Sequence, residues 1–172
     1  MGVSRRLVKL ALMGYFGLFL LLTAALAAWW HGWRKMPEQP IAFPHTVHAG
    51  QLQLACTFCH EDAARSPRAG VPSVAKCMSC HQTVAIDRPG VKKLRRYHQE
   101  KEPIAWVRLH TLPEHVYFTH KRHIKAGLEC SVCHGEVRKM ETMQRVRSLE
   151  MGWCVSCHRA LKAPTDCTTC HK

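Results

Sequence analysis

Phe118-Thr119-His120-Lys121-Arg122-His123-Ile124-Lys125-Ala126-Gly127-Leu128-Glu129-Cys130-Ser131-Val132-Cys133-His134 closes on a Cys-x-x-Cys-His pentapeptide. Four more copies stand at 56–60, 77–81, 154–158 and 167–171. The five copies use Cys56, Cys59, Cys77, Cys80, Cys130, Cys133, Cys154, Cys157, Cys167 and Cys170, which are all ten cysteines of the chain. The spacing is that of covalent haem c attachment: each thiol adds to one vinyl group, and the adjacent histidine becomes the proximal iron ligand. Those histidines are His60, His81, His134, His158 and His171. Zinc sites would explain the cysteine pairs but not a histidine after every one, and a disulfide framework would explain neither. The sequence therefore predicts five haem c groups and no other metal.

The opening of the quoted stretch is itself a repeat. Phe43-Pro44-His45-Thr46-Val47-His48 precedes the first pentapeptide as Phe118 to His123 precedes the third, both as Phe-x-His-x-x-His, at a period of about 75 residues. Two modules follow, a dihaem module over 31–89 and a trihaem module over 118–172. Between them, 90–117 reads as a basic helix and a connector, entered through the turn Asp87-Arg88-Pro89-Gly90 and left through Glu102-Pro103. Eight further histidines remain: His31, His45, His48, His98, His110, His115, His120 and His123. Two histidines three residues apart on one helical turn face the same side and can serve two adjacent irons. The competing explanation is a pair of surface histidines on a polar turn.

Residues 31–172 allow about 28 residues per haem, too few for a conventional apolar core. The macrocycles must form the core, and without them the chain is expected to stay unfolded. The fold class expected is mainly helical and irregular, with little strand and helices of two or three turns. The formal charge of +13 is partly answered by haem propionates, about ten negative charges for five haems. The run Lys92, Lys93, Arg95 and Arg96 is either a solvated face or a docking surface for an acidic partner or anionic lipid.

Leu10 to Trp30 is a charge-free run of 21 residues, roughly 31 Å as a helix. A cleaved signal peptide competes, with Ala25-Leu26-Ala27 as a small-residue cleavage pattern. The run exceeds a signal core of about 7–15 residues, and Trp29, Trp30 and Trp33 read as an interfacial anchor. An uncleaved anchor over 10–30 is expected, with 1–9 cytoplasmic. Arg5, Arg6 and Lys9 before the run outweigh Arg34 and Lys35 after it. Haem attachment in c-type cytochromes takes place outside the bacterial inner membrane, which implies a periplasmic haem domain. Nucleic acid is excluded as a partner on the same ground, and membrane lipid is included.

Phe-x-His-x-x-His followed by Cys-x-x-Cys-His resembles the trihaem class III cytochromes c. The resemblance implies that His45 serves the His60 haem, His48 the His81 haem, His120 the His134 haem and His123 the His158 haem. In that family the ligand of the last haem sits just ahead of the middle motif, which implies Met151 for the His171 haem, with His110 as the alternative. The anchor, the two-plus-three division, and the segments Pro103-Ile104-Ala105-Trp106-Val107-Arg108-Leu109-His110, Val116-Tyr117-Phe118-Thr119-His120 and Met151-Gly152-Trp153-Cys154-Val155-Ser156-Cys157-His158-Arg159 are similar to the pentahaem cytochrome c subunit of alternative complex III. That family implies a respiratory or photosynthetic quinol-oxidising complex. Electrons would come from an iron–sulfur subunit beside polytopic membrane subunits and pass to a monohaem cytochrome c or a terminal oxidase. It implies no catalysis by this subunit alone, because every motif ends in histidine and no iron is left marked as open. The alternative resemblance, a stand-alone tetrahaem quinol dehydrogenase feeding a periplasmic reductase, lacks its marker. A methionine two residues after the first haem histidine is replaced by Asp62.

Overall fold

The structure, a computed structural model, describes residues 4–33 and 36–172, with 31–33 described by backbone alone. The expectations placed on the Trp33 side chain and on Arg34 and Lys35 lie outside the described residues. The chain forms two units, Met1–Met36 and Pro37–Lys172.

In the first unit, helix α1 runs Arg5–Trp33. The Ser4 hydroxyl accepts the Arg6 amide at 3.4 Å and begins it, and no proline interrupts the run of Leu, Ala and Phe that follows. Its Arg5–Trp30 portion, 26 residues, has a mean hydropathy of 2.1 and no buried share. At about 1.5 Å per residue that is roughly 39 Å, long enough to cross a bilayer. The helix starts before Leu10, so Arg5, Arg6 and Lys9 extend it by more than a turn. Such a helix near an amino terminus meets the requirement of an anchor and equally that of a signal sequence.

The second unit is a sequence of short helices. A turn of π-helix spans Thr46–Gln51, followed by α2 (Cys56–Cys59), α3 (Val74–His81), α4 (Pro89–Glu100), α5 (His120–Lys125), α6 (Cys130–His134), a 3-10 turn (Val137–Lys139), α7 (Met151–Ala160) and α8 (Cys167–Cys170). Among the described residues there is no strand, and Val116 and His171 form an isolated antiparallel bridge. The helical and irregular class read from the sequence is the one observed. Local rules explain the better-formed helices. Ser73 Oγ accepts the Lys76 amide at 3.2 Å to cap α3. Pro89 occupies the start of α4, and Lys101, at φ 57°, ends it in the left-handed region.

The expectation of no protein core needs one correction. Ile41, Met78 and Leu94 are buried together, with Val74, Cys77, Tyr97, Ile104 and Trp106 packed around them. The cause is the amphipathic α4, which turns Val91 and Leu94 inward and leaves Lys92, Lys93 and Arg96 exposed. From residue 95 to 172 nothing is buried. Tyr97, Ile104 and Trp106 lean on that core, whereas 118–172, which carries three of the five pentapeptides, buries no side chain.

Candidate haem-binding sites

Each Cys-x-x-Cys lies on a helical turn, in α2, α3, α6, α7 and α8. Thiols three residues apart therefore project from one side of it. All ten cysteines are free of disulfides. Among the described residues no three or more His, Cys, Asp or Glu side chains gather as a bare metal ion requires. The histidines stand in pairs instead.

A histidine that ligates iron through Nε2 must offer that nitrogen unprotonated, and a hydrogen bond from Nδ1–H fixes the tautomer. His60 Nδ1 donates to the Gly70 carbonyl (2.7 Å), His81 to Val84 (3.0 Å), His158 to Pro164 (2.6 Å) and His171 to His115 (3.2 Å). In the repeated element His48 donates to Pro44 (3.1 Å), His120 to Pro67 (2.8 Å) and His123 to Thr119 (2.9 Å). Each of these rings keeps Nε2 free for a metal. His45 differs, since its Nδ1 is buried without a partner. Burial, then His60, holds the His45 imidazole below the usual histidine range. Burial, then His110, pushes His134 down to about 4. Both rings are thereby kept in the neutral form that ligation needs.

The ring geometry supplies the test of fit. Two metal–imidazole bonds of roughly 2 Å each, plus the half-widths of two rings, separate ring centres by about 6 Å. His48 and His81 are 6.0 Å apart, His120 and His134 6.3 Å, and His123 and His158 6.1 Å. The first pair and the last come from different helical elements, yet all three meet one spacing. Free thiols beside these pairs complete the donor set for haem c, and the residues fit the group.

Two further residues organise the repeat. Phe43 lies edge-on to His45 (5.0 Å, 83°) and stacks on His48 (4.3 Å, 23°). Phe118 treats His120 (4.8 Å, 89°) and His123 (4.5 Å, 31°) in the same way. Both phenylalanines were visible in the repeat, but a motif does not say that the ring is a wedge between imidazoles. The accepting carbonyls of Gly70, Val84, Pro164 and His115 carry no side-chain signal at all.

The fifth pentapeptide is served differently. His110 does not lie with it; its ring is 4.6 Å from His134 at 73°, and its Nε2 is buried without a partner. Met151 opens α7 three residues before Cys154 and is 68 % exposed. His115 stacks beside His171 (5.4 Å, 24°). Its own backbone carbonyl accepts the His171 Nδ1–H at 3.2 Å. His31 is described by backbone alone, and His98 lies exposed on α4.

Residues 30–114 match the model of the class III cytochrome c family, and residues 116–172 match that of cytochrome c7 and related cytochrome c. The chain thus carries multihaem class III cytochrome c domains, families whose haem c is covalently bound. It is 26 % identical, over 95 % of its length and 93 % of the relative's, to the "Menaquinone reductase, multiheme cytochrome c subunit" of Nitratidesulfovibrio vulgaris (strain Hildenborough).

Proposed function

We propose that this chain is the membrane-anchored pentahaem electron-transfer subunit of a quinone-linked oxidoreductase. The observation that carries the reading is the set of three histidine pairs at about 6 Å, each ring tied through a carbonyl where the hydrogen bond is seen. Bound there, haem c supplies reversible one-electron storage. The residues' part is to hold each iron between two fixed ligands. An iron held on both sides changes little between oxidation states and leaves no position for substrate. His60, His81, His134, His158 and His171 are the proximal ligands; His45, His48, His120 and His123 are distal to the first four, and Met151 to the fifth.

The chain has no quinone site in this reading. An iron–sulfur subunit and polytopic membrane subunits of the same complex provide it, with α1 as the anchor and residues 37–172 read as periplasmic. The linker phrases favour quinol oxidation toward a monohaem cytochrome c or oxidase, as in alternative complex III. The relative's name favours a second reading, in which electrons from a periplasmic donor reach menaquinone. Two fixed ligands per iron serve either direction, and the partners' potentials decide.

Affinity purification from native membranes tests the assignment. Iron–sulfur and polytopic subunits should accompany the chain, and a menaquinol analogue should reduce its haem only in their presence. Reduction of the isolated chain by that analogue would support the stand-alone quinol dehydrogenase instead. Rapid oxidation of the reduced complex by menaquinone, with no reduction by the quinol, would select the second direction.

A further inference from the structure

We propose that the five attachment motifs form one spatial series, 77–81, 56–60, 130–134, 154–158 and 167–171, in which the first motif rather than the second joins the two halves of the chain. The inference rests on the five-haem reading above. Chain order alone would set 77–81 beside 130–134.

Within each half, one helical turn fixes neighbours. His48 pairs with the histidine of 77–81 at 6.0 Å, and His45, three residues earlier, has His60 of 56–60 as its strongest electrostatic neighbour. Side chains agree: Lys76 Nζ meets Glu61 at 2.6 Å and lies 4.3 Å over the ring of Phe58, inside the first motif. The turn His120–Lys125 does the same for 130–134 and 154–158, through rings at 6.3 and 6.1 Å. Between halves, Cys56 stands beside Cys130, whose thiol burial and then this neighbour push up.

The backbone crosses reciprocally at this junction. His120 and Lys121 amides donate to Pro67 (3.1 Å) and Ser66 (3.3 Å), in the loop after the first motif. His45 and Thr46 amides donate to Met140 (3.1 and 3.3 Å), just after the third. Arg138 Nη1 donates to the Ala49 carbonyl at 2.8 Å, and a Cβ on Gly50 would stand 2.6 Å from the Arg138 carbonyl oxygen. Each half thus rests its ligand turn on the segment behind the other half's first motif. The second motif is turned away, because its helix α3 packs on α4 through Met78 and Leu94. At the far end, burial and then the nearby Cys170 push the Cys154 thiol up.

The test uses the full-length holoprotein. In the unmutated protein, nuclear Overhauser contacts between the thioether methyl groups at Cys56 and Cys130 are expected, and their absence overturns the series. A photosensitiser on Lys172→Cys then delivers excess electrons at the carboxyl-terminal end. With Cys56→Ala/Cys59→Ala, three of the four remaining haems should be reduced in the fast phase. With Cys77→Ala/Cys80→Ala, all four should be. Any other pattern overturns the order. A wild-type mass with fewer than five haems would instead remove the reading on which the order rests.

Discussion

Phe43 stacks on His48 with ring centres 4.3 Å apart and planes 23° from parallel. Phe118 and His123 repeat the relationship at 4.5 Å. A stacked ring limits rotation of the imidazole and shields the hydrogen bond from Nδ1 to the carbonyl four residues earlier. Phe118→Ala should therefore loosen His123 without touching haem attachment. The expected cost is about 1–3 kcal/mol in denaturant unfolding, below that of a fully buried phenylalanine. Phe118→Leu should recover most stability but not the ring restraint. The measurement is the electron paramagnetic resonance line width of the affected low-spin haem, which should broaden in both variants.

His120 and His134 face each other at 6.3 Å with planes 8° apart. Replacing His120 by Ala should leave five haems attached, since attachment needs only the pentapeptides. It should turn one haem high-spin and open it to carbon monoxide in the reduced protein. An unchanged low-spin spectrum would show that another group, with His110 4.6 Å from His134 the nearest candidate, completes that site.

The candidate attachment motifs are legible in the sequence because a pentapeptide is local: five residues carry two thiols and one imidazole. The repeat was legible for the same reason. What escaped was everything that depends on which loop meets which. His120 is fixed by Pro67, 53 residues away, and His171 by the carbonyl of His115, 56 residues away. A carbonyl acceptor is common to every residue type, so no composition or spacing rule could single these out. The small core of Ile41, Met78 and Leu94 was overlooked for a different reason. Counting residues per haem treats the protein as uniform, whereas α4 supplies an apolar face that residues 118–172 lack.

Gly50 lies where the ligand turn Thr46–Gln51 meets residues 137–139. A methyl group there would approach the Arg138 carbonyl oxygen to 2.6 Å, closer than the backbone can tolerate. Gly50→Ala should destabilise the holoprotein by about 1–3 kcal/mol, the usual range for overpacking. Limited proteolysis should then cut first within the segment after the third motif, which loses its seat.

Helix α1 should hold the mature protein in the membrane. Alkaline carbonate releases peripheral proteins but not a spanning helix, so the haem absorbance should stay in the pellet. A mature amino terminus near Ala28, together with release into the supernatant, would identify α1 as a signal sequence.

Without haem the second unit should not fold cooperatively, because only Ile41, Ala63, Met78, Val91 and Leu94 are buried among its described residues. Full burial of a large apolar side chain is worth about 1.5–3 kcal/mol, and four such groups with one alanine fall far short of the ordering entropy of that unit. Expression without haem-attachment machinery should give a chain that trypsin degrades rapidly. The holoprotein should resist under the same conditions. Equal resistance of both would place the folding free energy in the polypeptide.

The final prediction separates Met151 from His110 at the fifth haem. His110 is committed elsewhere by position: its ring lies 4.6 Å from His134, and burial followed by Arg145 keeps it below the usual histidine range. Met151 stands at the start of α7, ahead of the middle motif of its half, with its thioether exposed rather than packed into protein. A thioether favours ferrous iron and raises the potential relative to a second imidazole. The haem at Cys167, Cys170 and His171 should therefore be the last to be oxidised in a redox titration. Oxidised holoprotein should show the weak far-red sulfur-to-iron band for one haem in five. Met151→His should abolish the band and lower that haem's potential, while His110→Ala should leave both unchanged. Loss of the band in His110→Ala with Met151 intact, or its persistence in Met151→His, would assign the ligand to another residue.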